Sequence, residues 1–147
     1  MSTNTIYKIL PVQIPLFWNS IKFACIKADN VKQEGMQVYF NELLQALLSD
    51  KAQCFVALNE DKVLASICVT RILVDKFYGN KELLVQCLYS METISDEDVI
   101  NYWKFIADFA RVAQCKYLVY NTRNPRVWHI AEVLGCAERY RTFEYKV

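Results

Sequence analysis

Three carboxylates, Asp96, Glu97 and Asp98, stand in a row in the stretch SMETISDEDVINYWKF (90–105), where an apolar run gives way to a helical pattern. A strand-to-helix turn can hold a phosphate, because the first main-chain N–H groups of the helix lack partners and its end carries partial positive charge. Close approach to the phosphates calls for glycine, and none occurs between Gly79 and Gly135. At about 5 Å and an effective dielectric of about 20, each carboxylate would repel a phosphate charge by about 3 kcal/mol before salt screening. The same carboxylates suit the helix itself, each adding about 0.3–1 kcal/mol at its positive end. The turn is written to cap a helix and is poorly suited to a phosphate.

Few other residues have types that do chemistry. Glu92, next to this turn, stands where a general base could act, although a carboxylate at a strand end is ordinarily just solvated. His129, the one histidine, could exchange protons near neutral pH, but a short amphipathic helix ordinarily places such a residue at its surface. Tyr89 reads as packing and Asn124 as a helix N-cap. The six cysteines are scattered without a C-x-x-C pair, so neither zinc ligation nor a redox pair is indicated. They read as buried, reduced thiols behaving as small hydrophobes.

The elements that position these residues follow from periodicity. TIYKIL (5–10) predicts a first strand. Pro11 and Pro15 lead into a helix over 16–28, with Phe17, Ile21, Ala24, Cys25 and Ala28 on one face, and a second helix spans 35–48. CFVALN (54–59) and KVLASICVTRILV (62–74) predict a hairpin, and ELLVQCLYSM (82–91) another strand. Ser95 with Asp98 three residues on resembles a capping box, and Val99, Trp103, Ile106, Ala110 and Ala113 then mark one helix face. KYLVYN (116–121) predicts a strand, Asn124 and Pro125 open a short helix that Gly135 ends, and CAERYRTFEYKV (136–147) reads as a final strand. The fold class is α/β (α+β), a single domain over 1–147.

Composition narrows the function classes. Of 147 residues, 54% are apolar and 22% charged, and 17 Lys and Arg against 16 Asp and Glu leave a net charge of +1. That balance belongs to a folded domain and lacks the basic patch of a nucleic-acid binder. No apolar run reaches the length of a membrane span, and MSTNTIYKIL lacks the pattern of a secretion leader. A cytoplasmic protein with no nucleic-acid and no membrane partner is the expectation. Nine Tyr, eight Phe and three Trp exceed what one small core absorbs easily. Phe77, Tyr78, Tyr140, Phe143 and Tyr145 are therefore candidate interface residues, with other protein subunits or a second copy as partner.

The element order, together with KYLVYNTRNPRVWHIAEVLGC (116–136), resembles the GNAT superfamily of N-acetyltransferases over nearly the whole chain. Asn124 and the Leu134-Gly135 ending occupy matching places, and the Asn-Pro opening resembles GNAT-like proteins of tailed bacteriophages. The resemblance implies a mixed, mostly antiparallel sheet of about six strands with about four flanking helices. In working members a Q/R-x-x-G-x-G/A turn holds the pyrophosphate of acetyl-CoA, and 93–98 stands in its place. A Tyr that protonates the leaving thiolate is common in the family, and here that position is Ala131.

Two expectations result. The first is a non-catalytic GNAT-fold module without cofactor, structural or protein-binding, in a host cytoplasm or a bacteriophage virion. The alternative is a divergent acetyl-CoA-dependent N-acetyltransferase. In it Met91, Thr93, Ser95 and Asn124 line the cofactor site and Glu92 or a water is the base.

Overall fold

A computed structural model describes residues 4–147; Met1–Thr3, which open the stretch read for a leader, lie outside it. The elements are β1 (Thr5–Ile9), α1 (Ile14–Asp29), α2 (Met36–Leu48), β2 (Ala52–Leu58), β3 (Leu64–Val74), β4 (Lys81–Ser90), α3 (Asp96–Val112), β5 (Tyr117–Tyr120) and α4 (Pro125–Val133). The strands form one sheet in chain order, with β1 to β4 antiparallel and β5 parallel to β4. The fold is thus mixed α/β and mostly antiparallel, as the sequence predicts, with five strands in the sheet.

Helices cover both faces. α1 and α2 lay Ile21, Ala24, Cys25, Leu43 and Leu47 against Cys54, Val56, Ile67, Val69 and Cys87 of the sheet. α3 covers the other face, where Tyr102, Ile106 and Ala110 meet Phe55, Leu83 and Val85. The helical spacing places Trp103 on the buried face of α3, but Tyr102 is the buried ring and Trp103 lies half-buried beside it. The Tyr102 hydroxyl donates to the Phe55 carbonyl at 2.8 Å, tying α3 to a central strand. Burial raises the pKa of that hydroxyl well above its ordinary value.

Residues 136–147 are not a strand. They run as irregular chain with every side chain exposed. Tyr140, Phe143 and Tyr145 are spaced by three and two residues, so no single face of a pleated strand collects them. The segment is held near its start instead, by Arg139, whose guanidinium pairs with Glu82 at 2.8 Å and lies 5.3 Å over the Tyr117 ring.

The turns use glycine sparingly. Gly79 and Gly135 take positive φ, but so do Asn30 (51°), Asp50 (62°), Lys62 (61°) and Gln114 (63°). Four of the six thiols, Cys25, Cys54, Cys68 and Cys87, are buried, Cys115 is half-buried and Cys136 is exposed. Burial pushes the Cys54 thiol up to about 12.

Replacing Tyr102 by Phe removes the one donor that α3 gives the Phe55 carbonyl while leaving the ring in place. We expect a loss of about 1 kcal/mol of stability in urea unfolding, with an unchanged m-value.

Candidate active site

The sheet opens along one seam. β5 pairs with β4 only from Glu82↔Tyr117 to Val85↔Tyr120. At the next residue β4 bulges: Val69 faces Cys87 and Thr70 faces Val85, which leaves Gln86 as the extra residue. A bulge bends its strand and re-aims the residues beyond it, so β4 continues beside β3 while the chain beyond Tyr120 departs towards α4. Main-chain groups of a strand point alternately to its two sides. Met91 gives its N–H to the Ala65 carbonyl at 2.8 Å on the β3 side. By that alternation the main-chain groups of Leu88 and Ser90 face the opening, where β5 no longer supplies partners.

The opening leads to the acidic turn. Met91, Glu92 and Thr93 are all exposed there. Ser95 is the N-cap of α3: its Oγ accepts from the Asp98 N–H at 3.1 Å and donates to Asp98 Oδ2 at 3.1 Å. Ile94 before the cap packs with Val99 four residues into the helix, a hydrophobic staple that fixes the angle of entry. Sequence reading caught the cap and missed the residue that answers the acid. Arg126, in the first turn of α4, donates through Nε and Nη2 to Asp96 Oδ1 at 3.0 and 2.7 Å, and through Nη2 to the Ile94 carbonyl at 2.7 Å. These bonds join the N-termini of α3 and α4 across the mouth of the opening. Both side chains are about half exposed, so the pair is worth roughly 0–1 kcal/mol.

Asn124 caps α4, its Oδ1 accepting from the Arg126 N–H at 3.0 Å. Its side chain is thereby occupied in the helix. Trp128 donates its indole N–H to the Thr122 carbonyl at 3.0 Å, His129 is exposed and Ala131 is half-buried. The three rings nearest the opening are committed to the two faces of the sheet. Tyr89 meets Phe23 of α1 edge-on with centroids 5.7 Å apart, whereas Tyr120 meets Trp103 of α3 at 6.0 Å.

The bulge is anchored from the other face. Gln86 Oε1 accepts from Arg71 Nε at 3.0 Å, and its amide donates to the Tyr39 hydroxyl at 2.7 Å. Tyr39 in turn donates to Asp29 at 2.8 Å, and Arg71 grips both oxygens of Glu42 at 2.5 and 2.8 Å. Asp29 is shifted upward by burial, whereas the hydrogen bonds from Arg71 hold Glu42 below its ordinary value of 4.5. α1, α2, β3 and the bulge are thus linked by one polar chain that contacts neither the turn nor Arg126. The candidate interface residues Phe77, Tyr78, Tyr140, Phe143 and Tyr145 are all exposed; Phe77 and Tyr78 lie in the loop before β4, and the other three follow Arg139, which pairs with Glu82.

The overall fold has solved counterparts. An aminoglycoside acetyltransferase from an uncultured soil metagenomic sample superposes with TM-score 0.73 at 13% identity, covering 100% of this chain and 99% of its own. The chain has the GNAT fold. An aminoglycoside 6'-N-acetyltransferase of Acinetobacter baumannii gives TM-score 0.71 at 11% identity over 98% and 97% of the two chains. An aminoglycoside N-acetyltransferase solved with a bisubstrate analogue joining CoA to an acetylated neamine gives 0.71 at 14% identity over 99% of each chain. No protein-family model and no curated protein sequence matches the chain. Among the described residues no helix is long and apolar enough to cross a membrane.

The Glu42–Arg71 pair carries a pH signature. Glu42 is lowered in the folded state, so its contribution is complete above about pH 4.5 and is lost as pH falls through the lower folded value. Glu42→Gln is expected to cost at most about 1 kcal/mol at neutral pH, and the gap to the parent should close on acidification, measured by urea unfolding between about pH 3 and pH 7.

Proposed function

We propose that this chain is a divergent N-acetyltransferase whose acetyl-CoA lies in the opening between β4 and β5. The observation that carries the reading is the parting of the two strands at Val85 and Tyr120. It leaves main-chain groups of Leu88 and Ser90 to meet the amide-bearing pantetheine arm as a neighbouring strand would. Solved proteins of the same fold are described with CoA and with a CoA bisubstrate analogue, which supports this assignment.

Acetyl-CoA would supply a thioester acetyl group for attack by an amine. Glu92, exposed at the head of the opening, is placed to take the proton that the amine gives up, directly or through a water. Ala131 cannot protonate the departing thiolate, so that proton comes from solvent. Arg126 is the cation at the mouth, and a phosphate offers it stronger bidentate partners than a single Asp96 oxygen does. Releasing Asp96 costs no more than about 1 kcal/mol, so the acidic turn weakens the site without closing it.

A second reading is favoured by one observation. The glycine-free turn with three carboxylates, latched to α4 by Arg126, is also what a non-catalytic structural or protein-binding module would keep. The resemblance of the Asn-Pro opening to bacteriophage proteins supports placing such a module in a virion.

Calorimetry with CoA separates the two. The enzyme reading expects measurable binding that tightens about tenfold in Asp96→Asn and weakens about tenfold in Arg126→Met. No heat at millimolar CoA for both the native chain and Asp96→Asn would overturn it and leave the module.

A further inference from the structure

The spacing of the cysteines along the chain shows no pair, yet the fold brings two of the six thiols together. Cys25 of α1 and Cys87 of β4 are 0% and 1% exposed and pack in the same core, and their thiols are close enough to hydrogen-bond. Contacts on either side of them fix how α1 lies on β4. On one side Phe23, two residues before Cys25, meets Tyr89, two residues after Cys87. On the other, Asp29 and Gln86 are joined through the Tyr39 hydroxyl at 2.8 and 2.7 Å. α1 therefore runs over β4 in the antiparallel sense with Cys25 above Cys87, and the small, fully buried Ala24 lets the helix come close.

Among the described residues the other thiols are placed differently. Cys54 and Cys87 share a face of the sheet, but Val69 lies between them in the strand register. Two strand spacings hold them about 9–10 Å apart, beyond the ~7 Å between Cα atoms that a disulfide can bridge. Cys68 packs on the α3 face beside Leu88, whereas Cys115 precedes Lys116, which bonds to Lys81 at the far end of β4.

We infer that Cys25 and Cys87 are a redox-modification site, at which hydrogen peroxide closes a disulfide that locks α1 onto β4. One thiol, as its thiolate, attacks a peroxide oxygen and becomes a sulfenic acid, with loss of water. The second thiol displaces the sulfenic hydroxyl, again as water. The two thiols lose two electrons and two protons, and the peroxide is reduced to two waters.

Burial governs when this happens. The hydrogen bond with Cys25, and burial after it, raise the Cys87 thiol above its ordinary value, so the sealed pair is inert while α1 stays down. Transient lifting of α1 admits the oxidant. The partner sulfur is then already at hand, which favours the disulfide over further oxidation. The bond closes the long stretch of chain that holds α2, β2 and β3, and a long closed loop removes much of the freedom of the unfolded chain. It also pins the residue next to Gln86, the bulge that bends β4. The inference does not depend on what the opening binds.

Peptide mapping without reductant tests it, after peroxide treatment of the full chain under native conditions and alkylation of the remaining thiols. Cys136→Ser is the background throughout, because the exposed Cys136 could join two molecules. The expected result is a cross-link between Cys25 and Cys87 in about tenfold or greater excess over any other pairing, reversed by dithiothreitol. The oxidised chain should also unfold at a higher urea midpoint than the reduced one. Cys87→Ala should lose both the cross-link and the midpoint difference, and Cys54→Ala should keep both. The inference is overturned if peroxide leaves Cys25 and Cys87 as free thiols, carries them to sulfinic acids, or pairs either with Cys54. A cross-link that leaves the midpoint unchanged overturns the lock.

Discussion

The four-residue parallel ladder between β4 and β5 is the constraint on which the rest of the molecule turns. Had it run the length of β4, every main-chain group there would be satisfied within the sheet. The ladder stops at Val85 and Tyr120, and the Gln86 bulge bends β4 away at the next residue. A bulge is costly unless something holds the extra residue. Gln86 is held twice, by Arg71 and by Tyr39, so the position of the opening is set by polar contacts on the opposite face.

At the mouth, two opposing electrostatic effects are of similar size. Three carboxylates favour the start of α3 and disfavour an anion, by about 3 kcal/mol for each close pair of charges. Arg126 crosses from α4 to Asp96 and to the Ile94 carbonyl and offsets part of that field. Its hold is weak because both side chains are half in water, which makes the latch reversible on any ligand's timescale. The balance is local to a few side chains, whereas the scaffold beneath, with Ile94, Val99 and Ile130 packed together, keeps the two helix ends in place.

Much of this was legible in the residues. Ser95 and Asp98 announced the start of α3, and Asn124 with Pro125 announced α4, because capping is a short-range matter of side chains reaching their own helix. The sheet strands were legible from their apolar runs. What escaped depended on long-range geometry. Arg126 looks like an ordinary exposed cation until the fold brings it thirty positions back to Asp96. Tyr102 and Trp103 are adjacent, and only the packing of α3 on Phe55 decides which is buried. The stretch 136–147 failed as a strand because a β-rich composition does not supply a partner. β-propensity is mostly a statement about neighbours, and among the described residues no strand pairs with this stretch.

The scarcity of glycine has a consequence of its own. Lys62 and Gln114 occupy left-handed backbone at a cost of roughly 1–2 kcal/mol each relative to glycine, and Asn30 and Asp50 at somewhat less. All four lie in the turns between elements, outside the helices and strands themselves. The chain therefore holds a reserve of thermal tolerance in its turns, reachable by single changes, on which mutations around the cleft could draw while the fold stayed intact.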